Sequence, residues 1–202
     1  MKTKKILFYL LAGILAGCVP SLHPLYTEQD LIFAQQLLGI WQKPDSNENW
    51  RFEKDPAQDN KYYQATYTDD KGNDGTFVAA LIKLNGTMFL DLFPKEPECH
   101  CRPLYPFHFY PVHNFVKIQQ IQPTLKMMVM DPEKVKQLLA EDPNLIPHEI
   151  VDDRLVLTAS TAQLQSFVAD YADYPQLFVQ AWDLQPQESG HSDNIESGRG
   201  KQ

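Results

Sequence analysis

Short runs of aromatic and β-branched residues, separated by turn residues, recur over most of the chain. Runs of this length and composition are typical of β-strands. The runs that we interpret as strands are residues 38–42, 50–53, 62–68, 76–84, 87–93, 112–121, 124–130, 149–151 and 154–158. Asn85-Gly86 stands between two of them and is a strong signal for a two-residue hairpin turn. The pattern therefore predicts an antiparallel meander.

Helical spacing of apolar residues interrupts the strand pattern twice. Asp131 precedes Pro132 in the arrangement of an N-cap followed by proline at the first turn, which predicts a helix over residues 133–141. Ser160 and Gln163 fit a capping box that opens a second amphipathic segment. We expect a mainly β domain with two short helices, arranged either as a lipocalin-like barrel or as a curved open sheet.

The first 18 residues have the organisation of a bacterial export signal. Lys2, Lys4 and Lys5 precede an apolar run, residues 6–15, that is too short to span a bilayer as a helix. The run ends in Leu15-Ala16-Gly17-Cys18, which resembles the lipobox of bacterial lipoproteins. This resemblance implies cleavage before the cysteine, which then bears a diacylglycerol and an acyl chain. Several acyl chains on one residue make membrane attachment stable.

The sequence divides into four predicted segments. They are a signal peptide at residues 1–17, a lipidated tether at 18–29, one β-rich globular domain at 30–184 and a tail at 185–202. The tail is rich in Gly, Ser, Gln and acidic residues. We expect it to be disordered, because it has too little apolar surface to offset the entropy of ordering.

The charge balance is acidic and narrows the choice of partners. The 202 residues include 18 basic and 26 acidic side chains, for a formal charge of −8. Removal of residues 1–17 takes away three lysines, so the mature chain carries 15 basic and 26 acidic side chains and a charge of −11. This excess argues against nucleic-acid binding and predicts repulsion from anionic lipid headgroups. Val19 follows the cysteine. An Asp at this position would resemble the signal for retention in the inner membrane, so we expect this chain to be anchored in the outer membrane.

The predicted domain resembles the lipocalins in two respects. Gly39-Ile40-Trp41 opens the first predicted strand as a Gly-x-Trp, and a helix follows the last predicted strand. Some bacterial lipocalins are also outer-membrane lipoproteins. The resemblance implies that Arg154, at the start of the last predicted strand, packs on Trp41. The sequence departs from the lipocalin pattern in two ways: it lacks the Thr-Asp-Tyr motif of typical lipocalins, and it has a predicted helix inserted at residues 133–141.

Trp41, Arg154 and His113 are the candidate ligand-binding residues. His113 lies in an aromatic-rich run, where it is either satisfied by backbone groups in a half-buried strand or placed at a barrel mouth to contact a ligand. The strand aromatics are expected to pack the core. If the barrel is wide enough, part of the set would line a cavity for a small apolar ligand.

Cys99-His100-Cys101, with His108 nearby, is the densest set of potential metal ligands in the sequence. Thiolate and imidazole suit zinc or copper. Outside the cytoplasm, however, Cys99 and Cys101 would tend to form a disulfide, although a ring closed across one residue is geometrically demanding. We favour a disulfide or plain loop cysteines over a metal site or a redox-active pair, and we assign no metal or cofactor besides the lipid on Cys18.

Catalytic signatures such as a nucleophile elbow, a His-Glu-x-x-His pair, a P-loop or a dinucleotide fingerprint do not occur in the sequence. We therefore expect a binding protein of the bacterial envelope rather than an enzyme. Its membrane-tethered β domain would take a small apolar ligand or a partner protein. The alternatives are a scaffold or assembly lipoprotein, and a metal-handling or thiol-active protein that uses Cys99 and Cys101.

Overall fold

The computed structural model describes residues 18–57, 61–95 and 110–187. Its strands are β1 (Pro20–Ser21), β2 (Gly39–Gln42), β3 (Asn49–Lys54), β4 (Tyr63–Thr68), β5 (Asp74–Leu84), β6 (Thr87–Pro94), β7 (His113–Gln120), β8 (Leu125–Met130), β9 (His148–Val151), β10 (Arg154–Leu157) and β11 (Phe178–Pro186). Its helices are α1 (Pro132–Glu141) and α2 (Thr161–Asp170), and a single 3-10 turn covers Gln35–Leu37. The chain is therefore mainly β with two short helices, as predicted.

Eight of these strands form a closed antiparallel barrel. Their order around the barrel is β6-β5-β4-β3-β2-β11-β8-β7, and β7 pairs again with β6. The closing register places Leu90 opposite Val116 and Asp91 opposite Phe115. Two architectures were predicted, a lipocalin-like barrel and a curved open sheet, and the closed sheet confirms the barrel.

The interior of the barrel is filled by its own side chains. Along a strand, side chains alternate between the two faces, and an eight-stranded barrel is just wide enough for the inward set to fill it. The inward residues, each less than a tenth exposed, are Trp41, Trp50, Phe52, Tyr63, Ala65, Ala79, Leu81, Leu90, Leu92, Val116, Ile118, Leu125, Met127, Val129 and Leu184. The strand aromatics thus pack the core, which was the first of the two predicted roles.

The segment that precedes β2 covers one end of the barrel. Leu37 is fully buried against the inward set, and its carbonyl accepts a hydrogen bond from the Trp41 indole at 2.9 Å. The Tyr63 hydroxyl accepts from the Ala34 amide at 2.7 Å, while the Phe33 ring stacks on Tyr63. These contacts close that end with groups from a single stretch of chain.

Aromatic rings and one carboxylate cover the other end. The Trp50 ring lies 5.1 Å from Tyr67 and 5.4 Å from Trp182. Glu48, in the turn between β2 and β3, accepts a hydrogen bond from the Trp182 indole at 2.9 Å and pairs with Lys43 at 2.9 Å. The carboxylate is therefore paired where it would otherwise be buried without a partner.

An insertion between β8 and β11 covers part of the barrel's outer surface. It contains α1, β9, β10 and α2, and it packs on a second apolar cluster that includes Ile82, Phe89 and Phe115 from the barrel. Asp131 caps α1 through the amides of Glu133 and Lys134. In α2, the Gln163 side chain accepts from the Ser160 amide, as the predicted capping box requires. None of the helices in the described residues is long and apolar enough to cross a bilayer.

The expectation that a helix follows the last strand was wrong. β11 comes after α2 and completes the barrel by pairing with β8 and β2. Its register shifts between Gln180 and Trp182, so the run of apolar residues does not keep the alternation by which strands are recognised. β11 also reaches Pro186, two residues past the predicted end of the domain.

Candidate functional site

Residues 19–32, which we call the N-terminal strap, cross the outside of the barrel. Val19 is buried, and β1 lies between β7, to which it is antiparallel, and β10, to which it is parallel. Further along, the Ile32 amide donates to the Leu81 carbonyl in β5 at 2.9 Å. The segment predicted as a tether, residues 18–29, is thus held against the domain from Val19 onward.

Side chains of α2 fasten the middle of the strap. The Thr161 hydroxyl donates to the Pro24 carbonyl at 2.8 Å. The Gln165 amide donates to the Leu25 carbonyl at 3.0 Å and to the Asp30 carboxylate at 2.8 Å. Since Leu25 is fully buried, the strap has both apolar and hydrogen-bonded contacts at this point.

A buried Asp–His pair lies beneath the strap. One oxygen of the Asp91 carboxylate accepts from the Leu25 amide at 2.7 Å, and the other lies 2.7 Å from Nδ1 of His113. The Asp91 side chain is fully buried and the His113 side chain is 12% exposed. Because Asp91 opposes Phe115 across β6 and β7, His113 is its diagonal neighbour on the same outward face.

Aromatic groups surround this pair and make its environment apolar. The Phe93 ring lies 4.6 Å from the His113 ring, and the Tyr26 ring contacts that of Tyr62 at 5.8 Å. Burial raises the pKa of the Asp91 carboxyl, and the contacts with His113 and the Leu25 amide offset part of that rise. Burial, the Tyr62 hydroxyl and the Asp91 charge together raise the pKa of the Tyr26 phenol.

The structure does not bring the three predicted ligand-binding residues together. Trp41 is buried inside the barrel. His113 faces outward and bonds Asp91, so its partner is a carboxylate rather than backbone. Arg154 is exposed on β10, which pairs with β1 and β9 outside the barrel, and so it does not pack on Trp41 as the lipocalin resemblance implied.

The predicted ligand cluster of Cys99, His100, Cys101 and His108 lies outside the described residues. The disulfide, metal and thiol interpretations therefore all stay predictions. Within residues 18–57, 61–95 and 110–187, the structure holds no group of three or more His, Cys, Asp or Glu side chains placed to bind a metal ion. Cys18 is exposed at the start of the strap.

Comparison with other proteins identifies no relative of this chain. No family model matches it, and neither curated proteins nor solved structures give a significant match.

Asp91 is the site residue that the sequence reading overlooked. It interrupts the apolar strand 87–93, whose pattern is Thr-Met-Phe-Leu-Asp-Leu-Phe. A single carboxylate within such a run signals a buried charge, and buried charges are paired with a specific partner. The partner itself lies 22 residues away along the chain, so the pattern alone does not identify it.

We expect Asp91→Ala to lower the free energy of unfolding by about 1–3 kcal/mol, because it leaves the Leu25 amide and His113 without their acceptor. Asp91→Asn should cost less than about 1 kcal/mol, since its side-chain amide can accept from the Leu25 amide and still bond the His113 ring. Urea unfolding at pH 7 measures both. Asp173→Ala, which removes an exposed carboxylate paired with Lys117, is the matched control and should change stability by about 0.5 kcal/mol or less. Equal losses for Asp91→Ala and Asp91→Asn would contradict this account.

The pair also predicts a pH dependence of known sign. Because the Asp91 pKa is raised in the folded chain, folding favours the protonated carboxyl, and this contribution is lost as pH rises from about the ordinary value of 3.8 through the raised one. Relative to Asp91→Asn, the natural chain should therefore lose stability with rising pH in that interval. Urea unfolding of both chains across a pH series measures the difference. If the natural chain instead gains stability with rising pH in that interval, the contact with His113 lowers the Asp91 pKa more than burial raises it, and this account is wrong.

Proposed function

We propose that this chain is a lipoprotein of the bacterial outer membrane, anchored through Cys18, whose barrel domain docks another envelope protein. The anchor rests on the Leu15-Ala16-Gly17-Cys18 motif. Its structural support is that Cys18 is exposed while the next residue, Val19, is already buried in the domain. A chain cleaved before Cys18 would thus present its lipid-bearing residue at the surface and keep every described contact of the strap.

The single observation behind the docking role is the filled barrel. Fifteen inward side chains, all buried, occupy the space in which a lipocalin-like barrel of larger bore would hold a ligand. Two grooves on the described surface both lie outside the barrel, one along β2 and β3 and the other between α2 and the loop that follows α1. Binding by this domain is therefore assigned to its outer surface. This favours a protein partner over the small apolar ligand.

The charge of the proposed mature chain agrees with attachment by lipid rather than by electrostatics. A formal charge of −11 opposes adsorption to anionic headgroups, so the acyl chains must supply the binding free energy. The same charge opposes phosphate backbones, which leaves nucleic acid outside the proposal.

The anchor is tested by changing its one reactive atom. We expect the natural chain to sediment with outer membranes on a density gradient and to resist a carbonate wash, whereas Cys18→Ser should appear in the soluble fraction. Cys99→Ser is the matched control, because it removes a thiol outside the lipobox and should leave sedimentation unchanged. Mass spectrometry of the N-terminal peptide checks the acyl groups directly. Retention of Cys18→Ser in the washed membrane would refute the anchor.

The docking role is tested separately in intact cells. An amine-reactive crosslinker should join the domain to a partner through its surface lysines, such as Lys54 and Lys83, and give a discrete species of higher mass. Cys18→Ser should lose this species, because the domain no longer resides beside its partner. Recovery of only the uncrosslinked chain would count against docking. A bound small molecule in native mass spectra of the extracted protein would restore the ligand-binding alternative.

A further inference from the structure

Exposed apolar side chains are concentrated around one edge of the sheet. Beyond β7 the sheet continues through β1, β10 and β9, and β9 is its last strand. Val151 in β9 is 63% exposed, Ile150 is 49% exposed, and Leu22, directly after β1, is 38% exposed. Tyr110, three residues before β7, is 78% exposed. Isolated exposed apolar residues are ordinary, but Ile150 and Val151 are adjacent on the last strand of the sheet, and neighbouring exposed apolar side chains mark a candidate interaction surface.

The strand register brings Cys18 to the same edge. β1 and β10 are parallel, and Ser21 lies opposite Leu157. Extending that register by three residues toward the N-terminus of each strand places Cys18 level with Arg154. Arg154 in turn pairs with Val151 across β9 and β10. Neighbouring strands lie about 4.8 Å apart, so this level spans about 10 Å from β1 to β9.

We propose that this edge, formed by β9 and β10 with the exposed side chains Ile150, Val151 and Arg154, is the part of the domain that rests against the lipid bilayer beside Cys18. This rests on the proposed function, because it takes Cys18 as the acylated residue. In the proposed mature chain Cys18 carries the acyl chains, so the membrane-inserted group joins the domain at this edge. The occupant is therefore the bilayer interface rather than a second protein.

The segment that connects the anchor to this edge is too short to act as a flexible linker. Two residues extend at most about 7 Å, so Pro20 in β1 cannot move further than that from the lipid-bearing residue. Val19, between them, is buried in the domain, and the strap beyond is held by Asp91, Thr161 and Gln165. A domain held so closely sits on the bilayer in one orientation, even though its acidic charge predicts repulsion from anionic headgroups.

The charges at the edge suit zwitterionic headgroups better than anionic ones. Arg154 is exposed and available to a lipid phosphate. The adjacent turn carries two carboxylates, of which Asp153 pairs with Lys136 at 2.9 Å. Glu149 in β9 is also exposed. Apolar contact next to Cys18, together with Arg154, therefore provides the binding, and the carboxylates disfavour an anionic surface.

Site-specific photocrosslinking in phosphatidylcholine vesicles tests the proposal. The full-length chain, produced with its N-terminal segment and reconstituted, carries a benzophenone amino acid in place of Val151 or, in a second variant, Ile150. Illumination should yield lipid adducts at these positions several-fold above the same probe at Val179, an exposed apolar residue on β11 away from this edge. Both test positions are exposed, so the probe should leave the fold intact, which circular dichroism checks.

A variant with a flexible Gly/Ser linker between Cys18 and Val19 separates anchoring from docking. It should keep its acyl groups by mass spectrometry but lose lipid adducts at Val151, because a longer linker lowers the local concentration of the bilayer at the edge. An acylated natural-length chain without adducts would overturn the docking face while the anchor stands. A chain without acyl groups would overturn both. Adducts to protein instead of lipid would assign the edge to a partner interface and refute the bilayer as its occupant.

Discussion

The pairing of β6 with β7 closes the sheet into a barrel, and the rest of the structure follows from that closure. The interior of an eight-stranded barrel is either filled by side chains or holds one small ligand, and here large residues such as Trp41, Phe52 and Tyr63 fill it. A full interior leaves the outer surface as the place for further contacts. The outward apolar residues of β5, β6 and β7 are accordingly covered by α1, α2 and β10, which form a second core outside the barrel.

The same outer face binds the N-terminal strap. A carboxylate with no polar partner would be costly in this apolar layer, but Asp91 has two: the Leu25 amide and the His113 ring, each at 2.7 Å. The pair therefore links the strap to the strands that close the barrel. If Cys18 bears lipid, this linkage joins the membrane anchor to the core of the fold through contacts that leave no free tether between them.

Much of the fold could be predicted from local pattern. The meander strands, the Asn85-Gly86 turn and the caps at Asp131 and Ser160 each depend on residues adjacent in sequence, and the structure contains all of them. β11 was overlooked because a register shift inside it breaks the alternation of apolar and polar residues. The candidate site was predicted less well. His113 was identified as a residue of interest, but the packing of Arg154 on Trp41 that the lipocalin resemblance implied does not form, because β10 lies outside the barrel.

The sequence by itself determined most of the element types, the hairpin turns, the acidic balance and the lipobox-like run that ends at Cys18, because each of these is a property of neighbouring residues or of composition. Only the tertiary structure decided that the sheet closes, that its interior is full and that the strap lies over Asp91. These features depend on contacts between groups far apart along the chain, such as Leu25 with Asp91, 66 residues apart. Periodicity shows that a strand has an apolar face, but only packing of the whole chain selects what that face meets.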